Sequence, residues 1–319
     1  MCGTILSVYG TVFNSKNSVR TVIENIYNTF SEIKDKMEIV IVDNYSNDGT
    51  YEILKELSET YNISLYRHKS TRGLGRNIAF TKTEGKYVIN RDFDDIYIDK
   101  TMFKVIKNFN NILEKDAIIN ELSKRQVIEK IGNWSSLNAG EDVELRARAV
   151  KYGVRLFGIP AIIGMPYNAT NAKTLINENR YTNNKINYIK RMSSYLIDTS
   201  VGYGISLKDL KKVNFYYKLA FLYGIIGRKI ERRKSYRYFK DYNNLEIAEM
   251  HKELLDPSLF DIPKERWITT IAANIDDSIQ KKLIDNLKQL GYSNIAITRS
   301  NILVSYNKEY PDYIKKIYF

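Results

Sequence analysis

The sequence is poor in the residues that build several common kinds of site. It has one cysteine and two histidines in 319 residues. The lone Cys2 cannot form an intramolecular disulfide and fits a reducing compartment. His68 and His251 lie far apart with no Cys or His at ligand spacing, which argues against a structural zinc site. Long apolar runs are also missing. The candidate run Val213 to Gly227 is interrupted by Asn214 and Lys218 and falls short of the about 20 apolar residues a membrane span needs. The opening MCGTILSVYG has no charged n-region and continues into a strand pattern, so no secretory leader is expected. Glycines at the first strand-to-helix turn are scarce. Gly73 and Gly75 follow the third strand instead, where a dinucleotide fingerprint would not place them.

What remains is a chain that can fold around a core, 44% hydrophobic and 27% charged. Its net charge of +12 is concentrated. Residues 1–164 are nearly neutral, whereas residues 208–240 carry eleven Lys or Arg against two acids. An apolar helix flanked by Arg228, Lys229, Arg232, Arg233 and Lys234 suits an anionic membrane surface. It equally suits a buried helix followed by a solvated one. Tyrosines interleave the same segment, but no recognised nucleic-acid motif accompanies them, so nucleic-acid binding is disfavoured.

The order of apolar patterns predicts an α/β fold. TILSVY (residues 4–9) reads as a strand, Asn17 to Ile33 as a helix, MEIVIVDN as a buried strand and Thr50 to Thr60 as a helix. ISLYRH, a helix from Leu74 to Thr83, and a strand at Tyr87 to Ile89 continue the alternation. A helix to about Leu113, a strand over Asp116 to Leu122 and a helix opening at Glu141 follow. Strand–helix alternation with short loops implies a parallel sheet, with ligands at the carboxyl ends of its strands. Thr11, Phe13, Asp43, Arg76 and the acids from Asp92 all fall at or just after such ends.

The fourth strand runs out into Asp92, Asp94 and Asp95. Carboxylates this close repel unless a cation sits among them, and oxygen ligands of this kind suit Mg²⁺ or Mn²⁺. An acidic turn, or a cap by Asp95 or Asp99 on the next helix, is the alternative. Glu141 and Asp142 either complement the dipole of their helix or include a positioned base.

The segments TVFN, VIVDNYSNDGT, GLGRNIAFTKTEGKYVINRDFDD and GEDVELRARAVKYG, in this order, resemble family 2 glycosyltransferases of the GT-A fold over about residues 4–160. The resemblance implies an inverting, metal-dependent transfer of a sugar from a nucleotide-sugar donor to an acceptor hydroxyl. It assigns the metal to Asp92 and Asp94 and the base to Asp142. Thr11, Phe13, Asn14, Asp43, Asn44, Arg76 and Asp92 would contact the donor. Asp95, Trp134, Glu141 and Arg148 are candidates for acceptor contact or support. Two positions depart from the family's pattern: Asp43-Asn44 stands where Asp-Asp is frequent, and Phe13 where Tyr is usual. The Gln-x-x-Arg-Trp motif of processive synthases is absent, since Pro263 stands where the Gln before Arg266-Trp267 should be, which favours single transfers.

The chain divides by these signals into a GT-A catalytic domain (1–165), a helical, basic region (166–255) and a small α/β accessory domain (256–319) after a Pro-bounded linker. The acceptor is expected to be a glycan or a lipid-linked carrier, and the location cytoplasmic, peripheral on the inner face of the membrane. A fold kept only as a scaffold, or a nucleic-acid binder using 208–240, is the alternative reading.

Overall fold

A computed structural model of the chain describes residues 4–108, 112, 115–167, 198, 244–273, 275–298, 301–312 and 314–315. In chain order the first elements are β1 (Leu6–Val12), α1 (Val19–Thr29), β2 (Met37–Asp43), α2 (Thr50–Leu57), β3 (Ile63–Arg67), α3 (Arg72–Thr81) and β4 (Tyr87–Asn90). They are followed by β5 (Asp95–Tyr97), α4 (Thr101–Asn108), β6 (Ala117–Ile119), β7 (Leu122–Lys124), α5 (Arg125–Lys130) and α6 (Glu141–Lys151). Next come β8 (Arg155–Gly158), β9 (Gly164–Pro166), α7 (Asn244–Met250) and β10 (Lys252–Leu254). The tail supplies β11 (Ile268–Ala272), α8 (Asp277–Gln289), β12 (Asn294–Ile297) and β13 (Asn301–Ser305).

The main sheet has eight strands in the order β10-β8-β6-β7-β4-β1-β2-β3, and only β7 runs antiparallel to its neighbours. This is the mainly parallel α/β architecture expected. All seven residues of β2 are buried, because helices cover both faces of the sheet. Val19, Val22, Ile23 and Ile26 of α1 fill one face, while Val40, Val42, Ala79 and Phe80 pack on the other.

Several boundaries move from the sequence expectation. The first helix ends at Thr29, and Ser31–Lys36 forms a 3₁₀ turn. The α3 helix begins at Arg72, two residues early, because the Thr71 hydroxyl accepts the Leu74 N–H at 3.1 Å and caps it there. The strand expected over Asp116 to Leu122 is a hairpin, β6 and β7, turned by Asn120 at φ +52°. Asp95 caps no helix. It lies on β5, paired with β9, and Asp99 caps α4 by accepting from the Thr101 N–H at 2.8 Å.

Residues 244–254, expected in the basic region (166–255), pack with the first domain instead: β10 pairs parallel with β8 in the main sheet, and Ala248 of α7 packs with Leu145 and Ala149 of α6. The helical expectations for Ile176–Gly204 (Asp198 apart) and for the segment after Ser206, with the basic run 208–240, lie outside the described residues. No described helix is long and apolar enough to cross a membrane.

The tail forms a three-stranded antiparallel sheet, β11-β13-β12, with Leu283 and Leu287 of α8 against Ile271, Ile302 and Val304. It docks through the Ile162 N–H to the Arg266 carbonyl at 2.9 Å, the Tyr292 hydroxyl to the Pro160 carbonyl, and Arg266 to Asp99.

Candidate active site

The carboxyl ends of β1, β2 and β4 and the first turns of α3 and α6 meet at one edge of the sheet. Two glycines let the pieces approach. A Cβ on Gly75 would lie 2.3 Å from Thr11 Cγ2, and one on Gly10 only 2.1 Å from the Arg91 carbonyl oxygen. Any side chain at either position would push apart the β1 end, the α3 turn and the acid-bearing loop.

Asp43, fully buried at the end of β2, accepts both available local donors. The Ser46 N–H reaches its two oxygens at 3.2 Å, and Arg67 Nε pairs with Oδ2 at 3.1 Å. The parallel register sets Arg67 of β3 directly beside Asp43. The same guanidinium lies over Tyr45 at 5.0 Å and Tyr51 at 4.4 Å, so one cation organises the turn after β2. Asn14 and Asn44 brace neighbouring loops: Asn14 Oδ1 accepts the Asn47 N–H at 3.1 Å and Asn44 Oδ1 the Ser70 N–H at 2.9 Å. Thr11 and Phe13 are half-buried at the β1 end.

Arg76 is the centre of the arrangement. Its Nη2 donates to Asp92 Oδ1 at 2.7 Å and its Nη1 to Glu141 Oε1 at 2.6 Å. The guanidinium lies 4.9 Å from the centre of the Trp134 ring, whose Nε1 donates to the Tyr9 hydroxyl at 2.9 Å. Arg76 and Glu141 are almost wholly shielded from water, whereas 43% of the Asp92 side chain is exposed. Burial works against the Arg76 charge, but Asp92 and Glu141 outweigh it and hold the guanidinium more firmly protonated. Burial likewise works against ionised Asp92, and Arg76 with Arg72 reverses the sign, keeping its carboxyl below the usual range. Glu141 goes the other way: burial raises it despite Arg76, and its Oε2 has no hydrogen-bond partner among the described residues.

The two acids opening α6 are therefore unlike. Glu141 is buried and committed to Arg76. Asp142 is half-exposed, 3.8 Å from Arg146 Nη2, and open to a ligand. Gly140 precedes them at φ +72°, a left-handed turn that aims the helix start at the strand ends. Arg148 stands one turn further on and faces elsewhere. It donates to both oxygens of Glu144 at 2.8 Å and to the Ile131 carbonyl, bracing the loop that carries Trp134.

Asp92 and Asp94 flank Phe93 at the β4 end, and the Asp94 carbonyl accepts the Tyr167 N–H at 2.8 Å. Among the described residues no group of three or more His, Cys, Asp or Glu could hold a metal alone. Two carboxylates on a strand end do fit a hard divalent cation that takes its remaining ligands from water and phosphate. Asp95 is pushed up to about 7, first by burial, with Asp94 and Asp92 adding to it and Arg91 opposing.

Beyond Asp95 a cavity of about 400 Å³ opens, lined by Arg91, Asp95, Asn120, Glu121, Arg146 and Phe157 among others. Arg146 joins it to Asp142. Arg91 is nearly buried there, over the Tyr97 ring at 4.1 Å and 3.3 Å from Glu121.

The sequence pointed to Asp43, Arg76, Asp92, Asp94, Glu141 and Asp142 but missed Arg67, Tyr9 and Arg91. Arg67 carries only a weak signal, a cation at the end of the third strand, and its placement beside Asp43 depends on the register of β2 and β3.

Residues 7–137 match the family described as "Glycosyl transferase family 2". Glycosyltransferase GlyA of Streptococcus pneumoniae is 29% identical over 138 residues, 43% of this chain and 18% of its own length. The cholesterol galactosyltransferase of Borreliella burgdorferi is 31% identical over 105 residues, 32% of this chain and 28% of its own length. The match thus spans less than a third of either relative. Among solved structures, the Pyrobaculum calidifontis mannosyltransferase PcManGT with GDP-Man and Mn²⁺ aligns at a TM-score of 0.45 and 16% identity, covering 71% of this chain and 75% of that one. S. aureus TarS 1–349 with UDP-GlcNAc aligns at a TM-score of 0.47 and 13% identity, covering 97% and 98%.

Proposed function

We propose, from the match of residues 7–137 to glycosyl transferase family 2, that the chain transfers a sugar from a nucleotide-sugar donor to an acceptor hydroxyl, with inversion and one transfer per encounter. The observation that carries this reading is the position of Arg76. One buried cation ties Asp92, on the strand end, to Glu141, the neighbour of Asp142, so a single side chain sets the spacing between the donor acids and the base.

The donor nucleotide lies across the ends of β1 and β2, against Thr11, Phe13, Asn14, Asp43 and Asn44, with its diphosphate toward Arg76 and Asp92. Asp92 and Asp94 would hold Mg²⁺ or Mn²⁺, which when bound supplies neutralising charge to the leaving nucleoside diphosphate. Arg76, already protonated and fixed, contributes positive charge on the same side. Asp142 takes the proton of the acceptor hydroxyl as its oxygen bonds to the anomeric carbon. The bond from that carbon to the diphosphate oxygen breaks on the opposite face, which inverts the configuration. Glu141 does not share this work, because its side chain is shut off from water and held on Arg76 through Oε1.

The acceptor, a glycan or lipid-linked hydroxyl, enters through the cavity beside Asp95, Asn120, Glu121 and Arg146. A lipid-linked acceptor would give the basic run 208–240 a purpose at an anionic membrane surface, with the protein peripheral on its inner face. Flotation with liposomes that contain or lack anionic lipid tests this, and equal flotation with both would end it.

The decisive experiment is a thermal-shift panel of nucleoside diphosphates and nucleotide-sugars with Mg²⁺ or Mn²⁺. Stabilisation by one nucleotide, removed by EDTA, supports the reading and names the donor. No stabilisation by any of them would leave the fold as a scaffold.

A further inference from the structure

One guanidinium of the cavity beyond Asp95 is left half satisfied. Arg91 is only 4% exposed, and its Nη1 donates to Glu121 Oε2 at 3.3 Å. Its Nε and Nη2 have no hydrogen-bond partner among the described residues. An arginine side chain stays charged, and a buried donor of a charged group left unpaired is costly, so the free donors call for an explanation. The Tyr97 ring, its centre 4.1 Å from the guanidinium carbon, covers a face of the group and leaves the edge. Gly164 of β9 passes beside Nη2 without a side chain, and a Cβ there would lie 3.0 Å from that nitrogen.

Two other arginines of the chain show what that edge takes. Arg148 donates through Nε and Nη2 to the two oxygens of Glu144, both at 2.8 Å. Arg155 donates through the same pair of nitrogens to the two oxygens of Glu253, at 2.9 and 2.6 Å. Parallel N–H groups of this kind match two oxygens of a carboxylate or a phosphate. In Arg91 the same pair is empty, in a side chain that lines a cavity of about 400 Å³. Other charges there are already answered: Glu249 accepts from Lys252 at 3.0 and 3.2 Å, and Arg146 lies 3.8 Å from Asp142. Asn120 commits its Oδ1 to the Ile159 N–H at 3.1 Å, which leaves its amide nitrogen for a ligand oxygen.

We propose that the cavity seats an acidic sugar unit of the acceptor, its carboxylate or phosphate gripped by Nε and Nη2 of Arg91 and its hydroxyls on Asp95 and Asn120. This rests on the acceptor reading of the cavity and narrows it to a class of acceptor. A neutral sugar can reach the same N–H groups, but only an anionic group also answers the buried charge. Arg146, which joins the cavity to Asp142, sets the bound unit on the side of the candidate base.

Thermal-shift titration of the full chain with glucuronate, glucose 6-phosphate and glucose tests this, with and without the nucleoside diphosphates of the donor panel and Mn²⁺. At least one of the two acids is expected to bind about tenfold or more tightly than glucose, and to do so with nucleotide bound. Glucuronate alone would identify a uronic-acid glycan, and glucose 6-phosphate alone a phosphate-bearing glycan or lipid carrier. Arg91→Lys keeps a cation but removes the fork, and should weaken the acid about tenfold or more while leaving glucose unchanged. Circular dichroism and the melting temperature establish that the variant folds, and the comparison with glucose on the wild type decides without it. Acids that bind no better than glucose, that nucleotide displaces, or that a folded Arg91→Lys binds unchanged would overturn the proposal. Nucleotide stabilisation without acid binding would spare the transferase reading and end this one. Acid binding that depends on Arg91, with no stabilisation by any nucleotide, would keep the site and end that reading.

Discussion

Arg76 and Glu141 are joined at 2.6 Å with both side chains nearly shut off from water. A buried ion pair of this kind adds little net stability, yet removing one partner strands the other charge. Arg76→Ala is therefore expected to cost about 3–5 kcal/mol of folding stability, since it abandons Glu141 and exposes the Trp134 face. Adding Glu141→Gln to it should recover part of the loss, with a coupling of about 0.5–3 kcal/mol. Urea denaturation of the two single variants and the double variant measures the coupling, and strict additivity would deny that the pair acts as a unit.

Asp142 is expected to matter for rate and hardly at all for folding, being half-exposed with only a 3.8 Å ion contact. Asp142→Asn keeps the shape and removes the proton acceptor. Turnover should fall about 100- to 10,000-fold with donor affinity unchanged by calorimetry. A loss of donor affinity as large as the loss of rate would move Asp142 from the base to the donor site.

Asp92 and Asp94 should separate by their neighbours. Both Asp92→Ala and Asp94→Ala are expected to abolish the metal-dependent part of the donor's thermal shift. Only Asp92→Ala also releases Arg76, so only it should alter the folding stability coupled to Glu141. If EDTA left donor binding and activity of the wild type untouched, neither aspartate would hold a metal.

How much of this was legible in the sequence varied with the range of the interaction. The continuous apolar run Met37–Asp43 could only be a buried strand, and the alternation around it required the parallel sheet. Asp43, Arg76 and Asp92 were found because strand ends are readable one segment at a time. The Arg67–Asp43 pair was missed because it depends on the register between β2 and β3, which no local pattern states. The return of residues 252–254 to pair with β8 was missed for the same reason, since that contact spans about a hundred residues of chain. Asp95 is a cap candidate by sequence because acids before a helix usually are caps. Its pairing with β9 overrode that preference, and Asp99 took the role.

Asp99 also carries one of the contacts that dock the tail, with Arg266 Nη2 at 2.5 Å from its Oδ2. Burial alone would raise its pKa, but the hydrogen bonds from Thr101 and Arg266 together hold it below the usual carboxylate range. A carboxyl depressed by folding stabilises the folded state above its unfolded pKa, and that contribution disappears as pH falls through the folded value. Asn is as good a helix cap as Asp, so Asp99→Asn keeps the cap through Oδ1 and removes both the charge and the acceptor facing Arg266, where an amide N–H2 replaces Oδ2. Because the pair is partly exposed, the variant should lose about 1 kcal/mol or less at neutral pH. The gap to wild type should narrow as pH drops from the ordinary carboxylate range toward the depressed value. Chemical denaturation of both proteins across acid pH measures this, and a gap that stays constant would show that the charge on Asp99 does not hold the tail.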